Sequence, residues 1–230
     1  MKQIVNKDLG ENHMQLYKTV KCEAEASQII EKSKFIAHVK PVQTKEEADA
    51  FISEIKSKYK DATHNVPAMV VGDKFQIQWA SDDGEPQGTS GAPMVQMMVK
   101  EGLTNLAVVV TRYFGGIKLG TGGLVRAYTS SAKLGIEAAG ICAVQEICSL
   151  EVRIEYPYLA KLQNIAVDEL DISEADIKAE FTIEEIQDSD KVQMKIFALP
   201  ENAEAAENLF SNVTSGGVEV LSKDTILKKI

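Results

Sequence analysis

A strand pattern that runs directly into a cluster of glycines most constrains how this chain can fold. The stretch RYFGGIKLGTGG occupies residues 112–123 and holds five glycines within nine residues. Before it, NLAVVVTRYF has the continuous apolar run of a central strand covered on both faces. After it, LVRAYTSSAKLGIEAAG has a helical pattern. Glycine loses much backbone entropy on folding, so this density predicts tight turns or a backbone that another group approaches closely.

The order of strand, glycines and helix also suggests an anion-binding site. Free N–H groups at a helix start, together with the positive end of the helix dipole, attract phosphate. Basic side chains could add charge-assisted contacts. The candidate nucleic-acid or anion-binding residues are Arg112, Tyr113, Gly115, Gly116, Lys118, Gly120, Gly122, Gly123 and Arg126. The alternative is that the glycines only allow a tight crossover and close packing, since their spacing matches no nucleotide-binding motif.

An acidic loop, SDDGEPQGTSG at residues 81–91, is the second candidate region. It contains three close carboxylates: Asp82, Asp83 and Glu85. They could hold a divalent cation through oxygen ligands, or they could cap turns and pair with Arg112 or Lys118. His64, with Asp61, Thr63 and Asn65 beside it to orient the imidazole, could join them as a catalytic base. A catalytic site would require all these groups to reach one shared position.

Periodicity predicts an α+β protein of two domains, residues 1–142 and 143–230. In the first, Thr44 opens a helix with Glu47 as its capping-box partner, and residues 66–80 form two strands that turn at Gly72–Asp73. The helix after the glycines is expected to pack on a sheet through Leu124, Ala127, Tyr128, Ser131, Leu134 and Ala138. The second domain has the order β-α-β-β-α-β, which is the ferredoxin-like plan.

Charge and composition narrow the class of protein. Residues 1–140 carry 17 Lys and Arg against 16 Asp and Glu, whereas residues 141–230 carry 8 against 18. A nucleic-acid surface therefore belongs more naturally to the first domain. Three scattered cysteines, no secretory pattern and no membrane-length apolar run predict a cytoplasmic protein that binds no membrane. No cofactor is expected.

Four stretches together resemble a known family. They are SKFIAHV at residues 33–39, ATHN at 62–65, DDGEPQGTSGAP at 82–93 and VVVTRYFGGIKLGTGGLVRAY at 108–128. The chain is identified by them as a member of the YigZ/IMPACT family, of the bacterial type with a ferredoxin-like C-terminal domain. The resemblance implies a first domain like domain IV of elongation factor G and the second domain of a small-subunit ribosomal protein. It also implies a role in translation, because eukaryotic relatives regulate translation.

Two functional hypotheses follow from the residues and the resemblance. The first is a non-catalytic binding protein that contacts RNA, the ribosome or a translation-associated protein through the glycine-rich basic stretch, with Tyr113 or Phe114 stacking if exposed. The second is an enzyme acting on a phosphorylated small molecule, with His64 and the three carboxylates near the glycines. We favour the first.

Overall fold

The first of two compact units is built on an antiparallel sheet. A computed structural model describes residues 15–158 and 191–229, and these divide into Leu16–Val144 and a unit that begins at Gln145. The sheet of the first unit has the strand order β2-β3-β6-β4-β5. Its strands are β2 (Ala24–Ile30), β3 (Ser33–Pro41), β4 (His64–Val71), β5 (Ile77–Ala80) and β6 (Leu106–Tyr113). The strand β1 (Gln15–Val20) precedes them, and three helices cover the sheet: α1 (Lys45–Lys58), α2 (Gly91–Lys100) and α3 (Gly120–Ala139).

Both faces of this sheet are buried, as the apolar run in β6 predicts. Val108 and Val110 pack with side chains of α2 and α3 in one core. Ala107 and Val109 point the other way and pack with α1 in a second core. Alternation with period two therefore gives one strand two apolar faces, and the position of β6 between β3 and β4 explains why it carries no polar residue before Thr111.

Local signals in the sequence set the ends of several elements. Thr44 caps α1 by accepting a hydrogen bond from the Glu47 backbone N–H, while Glu47 reaches back to the Gln43 N–H at 2.7 Å. The predicted turn between β4 and β5 occurs at Gly72, whose φ of 96° is a conformation that glycine adopts readily. Both predictions are confirmed, except that Glu47 accepts from the Gln43 N–H rather than from that of Thr44.

The helix after the glycines begins earlier and faces the sheet differently than predicted. It starts at Gly120, so Gly120, Gly122 and Gly123 lie in its first turn rather than in a loop. Its buried residues are Leu124, Ala127, Tyr128, Ser131, Ala132, Gly135, Ile136 and Ala139. The expected Leu134 and Ala138 are exposed, because the buried face turns gradually along a helix of 20 residues.

The second unit has its own core. β7 (Ile141–Glu155) begins beside β1 and continues into this unit, where it pairs with β8 (Lys191–Ala198) and β9 (Glu219–Lys229). A helix, α4 (Ala203–Val213), follows β8 and packs Phe210 against the apolar side chains of β7 and β8. Short 3₁₀ turns occur at Tyr156–Tyr158 and Pro200–Asn202. The predicted helix and strand between residues 157 and 186 fall almost wholly outside the described residues.

The helices in the described ranges are each too short or too polar to cross a lipid bilayer.

Candidate functional site

Side chains from four of the sequence stretches meet around one buried carboxylate. Glu85 accepts a hydrogen bond from Arg112 Nη1 at 2.6 Å and another from the Tyr128 hydroxyl at 2.7 Å, both on Oε1. His64 Nε2 lies 3.8 Å from the same oxygen. Arg112 Nη2 donates to Ser33 Oγ at 3.3 Å. We call these five residues the Glu85 cluster.

Burial makes the Glu85 cluster a structural network. The Arg112 and Glu85 side chains are each only 5% exposed, so water screens their attraction little. Burial, and then the hydrogen bond to Glu85, raise the pKa of Tyr128 far above its usual range, so its hydroxyl stays protonated and donates.

Arg112 was predicted to contact a phosphate. Its guanidinium is instead committed to Glu85 and Ser33, which was the alternative that the sequence left open.

The other candidate acidic residues already have partners within the protein. Asp82 Oδ1 accepts hydrogen bonds from Ser90 Oγ, Ser90 N–H and Gly91 N–H, and its Oδ2 accepts from Gly88 N–H at 2.7 Å. Burial opposes ionisation of Asp82, but these hydrogen bonds outweigh it and lower the pKa of the carboxyl. Asp82 therefore fastens the start of α2.

Asp83 and His64 join the acidic loop to β4. Asp83 accepts from the Asn65 backbone N–H and from Lys56 Nζ, both at 2.6 Å. His64 Nδ1 lies 2.8 Å from the Asp83 carbonyl oxygen. The imidazole is thus oriented by the loop, and it makes no hydrogen bond to the side chains of Asp61, Thr63 or Asn65, which were predicted to orient it.

These contacts bear on the metal and enzyme hypotheses. No group of three or more His, Cys, Asp or Glu side chains in the described parts of the chain could hold a metal ion. Asp82, Asp83 and Glu85 point to three different sets of partners rather than to one open position. The second functional hypothesis therefore lacks the shared site that it requires.

The glycines form two different structures. Phe114, Gly115, Gly116, Ile117, Lys118 and Leu119 form an ordered connection between β6 and α3. Gly115 packs directly on the β2–β3 turn: a Cβ there would lie 2.1 Å from the Lys32 carbonyl carbon. Its N–H donates to Ser33 Oγ at 3.1 Å, so the connection is joined to the Glu85 cluster through Ser33. At Gly116 and Gly120, by contrast, an added Cβ would meet nothing within 4 Å.

The N-terminus of α3 is open and flanked by cations. The residue before it, Leu119, makes no capping hydrogen bond, and the first turn contains no acidic residue. Lys118 and Arg126 are exposed and make no ion pair with any other described residue. The guanidinium of Arg126 lies over the first turn, since a Cβ on Gly122 would be 3.7 Å from Arg126 Nη1. We call Phe114, Lys118, the first turn of α3 and Arg126 the glycine-loop surface.

The two aromatic candidates differ in availability. Tyr113 is half-buried, and its hydroxyl lies 3.2 Å from both carboxylate oxygens of Asp61. Phe114 is 48% exposed. Sequence reasoning did not select Ser33 or Tyr128 as members of a site, although both stand in the family-like stretches. The sequence offers one signal for these two residues, which is a hydroxyl-bearing side chain next to positions that are buried in the fold.

Comparison with known proteins identifies the class to which this fold and site belong. The first unit contains an Impact N-terminal domain, whose family model matches residues 31–136. The IMPACT family member YvyE of Bacillus subtilis is 37% identical over 204 residues, covering 89% of this chain and 89% of YvyE. The chain therefore belongs to the IMPACT family.

Two further similarities locate the shared parts. The IMPACT family member YigZ of Escherichia coli is 45% identical over 101 residues, which cover 43% of this chain and 50% of YigZ. A crystal structure described as that of an hypothetical protein superposes with a TM-score of 0.54 and 25% identity, covering 90% of this chain and 96% of its own. The latter supports the mixed α and β fold.

Proposed function

We propose that this protein is a non-catalytic binding protein linked to translation regulation, and that the glycine-loop surface contacts RNA, the ribosome or a ribosome-associated partner. The observation that carries the proposal is the uncapped N-terminus of α3 with Lys118 and Arg126 beside it. Its free N–H groups and the two cations fit a phosphate-bearing ligand. A phosphate-bearing small molecule would suit the same chemistry. We favour a larger partner because the helix end lies open at the surface.

Family membership supports the translation link. The resemblance implies that eukaryotic members of the IMPACT family regulate translation, and the chain shares with them the domain that contains the glycine-loop surface. A cytoplasmic location is part of the same proposal. All three cysteines are free thiols, which suits a reducing compartment.

The finer fold assignments also remain proposals. The order β9-β7-β8, with α4 joining β8 to β9, agrees with a ferredoxin-like second unit. Likeness of the first unit to domain IV of elongation factor G rests on the family resemblance. Both assignments suit a protein that works beside the ribosome.

Co-sedimentation with ribosomes on sucrose gradients tests the proposal. We expect the protein to migrate with a ribosomal particle at low salt and to dissociate at high salt, since phosphate neutralisation releases counterions. Lys118→Glu should abolish comigration. The charge-matched control is Lys74→Glu, because Lys74 is exposed and follows the opposite end of β4 from His64, about 25 Å away along the sheet. Absence of comigration at low salt, or equal behaviour of the two variants, would refute the proposal.

A further inference from the structure

Phe114 is an exposed ring with a rigid support. The Arg112 guanidinium carbon lies 5.4 Å from the Phe114 ring centroid and 5.3 Å from that of Phe35, within the range of cation–π contacts. Arg112 cannot swing away, because Glu85 and Ser33 hold it. One side of the Phe114 ring is thus backed by a fixed, buried cation, while 48% of the residue remains exposed.

The backbone of Phe114 is fixed as well. Its N–H donates to Thr63 Oγ1 at 3.0 Å. The next residue, Gly115, packs on the β2–β3 turn and donates to Ser33 Oγ. An exposed aromatic ring that is held at both its backbone and its covered face loses little conformational entropy when a ligand binds.

The exposed basic side chains around this ring favour an anionic ligand. Lys32 and Lys34, at and beside the β2–β3 turn, join Lys118 and Arg126 as exposed cations. None of the four makes an ion pair with another described residue. Acidic groups close to these cations include Glu31, Asp61, whose carboxylate accepts a hydrogen bond from the Tyr113 hydroxyl, and the buried Glu85, which pairs with Arg112. Phe114 and Lys118 are four residues apart, so their Cα atoms are separated by no more than about 15 Å.

We propose that Phe114 is a stacking platform for an unpaired base of single-stranded RNA, whose phosphates lie along Lys118, Arg126 and the first turn of α3. This inference rests on the proposed function and deepens it by naming the ligand class. An aromatic ring beside a cationic track is the arrangement that single-strand binding proteins use, since every base has a face that can stack. A duplex cannot use the ring, because its bases are already stacked on one another. Arg112 is a positioning residue that acts through Phe114.

The test uses a single-stranded oligouridylate of about ten nucleotides, with 2-aminopurine at its centre, and the same strand annealed to its complement. Fluorescence anisotropy of an end label gives affinity, and 2-aminopurine quenching reports stacking. We expect Phe114→Leu to weaken single-strand binding by about 5- to 150-fold and to remove the quenching. Phe114→Trp, which keeps an aromatic ring, should bind the single strand and quench the 2-aminopurine as the wild type does. Binding of the duplex should be unchanged by either Phe114 variant. Lys118→Glu should weaken binding of both the single strand and the duplex.

Trp79→Leu is the matched control, because it removes another exposed aromatic ring, from β5. It should leave affinity and quenching as in the wild type, and circular dichroism should show that all variants are folded. If Phe114→Leu binds the single strand as the wild type does, or if the 2-aminopurine is not quenched, the stacking inference is overturned. Comigration with ribosomes would then still stand, so this failure is separate from failure of the proposed function.

Discussion

At the scale of single residues, the Glu85–Arg112 pair links the buried core to the exposed surface. The ion pair lies in low dielectric, and Tyr128 and Ser33 satisfy part of the remaining hydrogen-bonding capacity. A pair of this kind adds little stability relative to an apolar replacement, but removing one partner leaves a buried, uncompensated charge. Its value here is therefore positional, since it fixes the guanidinium beneath Phe114.

Glu85→Gln should destabilise the protein by about 3 to 5 kcal/mol, since it leaves the Arg112 charge without its partner. Urea unfolding followed by circular dichroism measures the loss. The control is Asp49→Asn, which removes an exposed ion pair with Lys45 on α1 and should have no measurable effect. Equal stability of Glu85→Gln and the wild type would show that the pair is solvated rather than buried.

Sequence reasoning at this scale selected residues that lie together in the structure, but it did not deduce all their contacts. The structure brings His64 and Arg112 to the carboxylate of Glu85. All three residues had been selected from the sequence. That Arg112 points inward could not be deduced, because its position in an alternating strand gives the face but not the depth of burial. Tyr128 could not be paired with Glu85, since their contact spans 43 residues of chain.

At the scale of elements, the acidic loop acts as an external cap for α2. Ser90 precedes the helix but makes no side-chain capping bond to it, and Asp82 supplies the acceptor instead. A carboxylate at a helix start is favoured by the helix dipole as well as by hydrogen bonds. The cluster of acids that resembled a metal site is thus explained by helix capping and loop anchoring.

Asp82→Asn should lower stability at neutral pH by about 1 to 3 kcal/mol, because charge-assisted hydrogen bonds are lost. The folded-state pKa of Asp82 is below its unfolded value. Its contribution is therefore present above the unfolded pKa of about 3.9 and is lost as pH falls through the folded pKa. The stability difference between wild type and variant should shrink on acidification. A difference that persists unchanged at low pH would contradict this assignment.

Helix α3 depends on close approach to β3. A Cβ on Gly135 would lie 2.8 Å from both Ala37 Cβ and Val39 Cγ2, which is closer than side-chain atoms pack. Gly135→Ala should therefore destabilise the protein by about 1 to 3 kcal/mol despite the better helix propensity of alanine. Glu137→Ala, on the exposed side of the same helix, should change stability by no more than about 0.5 kcal/mol. Thermal unfolding of the two variants decides the point, and a stabilised Gly135→Ala would contradict the packing.

The helices and strands were predicted better than the faces that they bury. The capped start of α1, the turn at Gly72 and the doubly covered β6 each follow from a local signal. The buried face of α3 did not, because a list of apolar residues misses Gly135, which is buried for having no side chain. The start of α3 was also misjudged, since glycine has a low helix propensity and the density of glycines therefore predicted a loop.

At the scale of the whole molecule, charge is distributed unevenly along the chain. The net charge is −9, yet residues 1–140 carry one more basic than acidic residue. A cationic surface on an acidic protein limits general attraction to polyanions and leaves binding to a local patch. Among the described residues, the glycine-loop surface is one such patch.

Binding of single-stranded RNA should therefore weaken steeply with salt, with a slope set by a few contacts. Lys118→Ala should reduce the slope of log affinity against log salt by about 0.7, the value for one phosphate contact on a single strand. Lys74→Ala should leave the slope unchanged. Titrations at several salt concentrations give the slopes, and parallel lines for wild type and Lys118→Ala would exclude Lys118 from the phosphate contacts.

The contact between Gly115 and the β2–β3 turn has a consequence for how this chain can change over generations. No residue other than glycine fits against the Lys32 carbonyl, so every missense change in that codon is damaging. Gly116 and Gly120 have open space but φ values of 86° and 70°, so they tolerate asparagine best. We therefore expect neighbouring glycines that look alike in the sequence to change at unequal rates, and a saturation scan of the motif would separate one position that accepts only glycine from two that accept other residues.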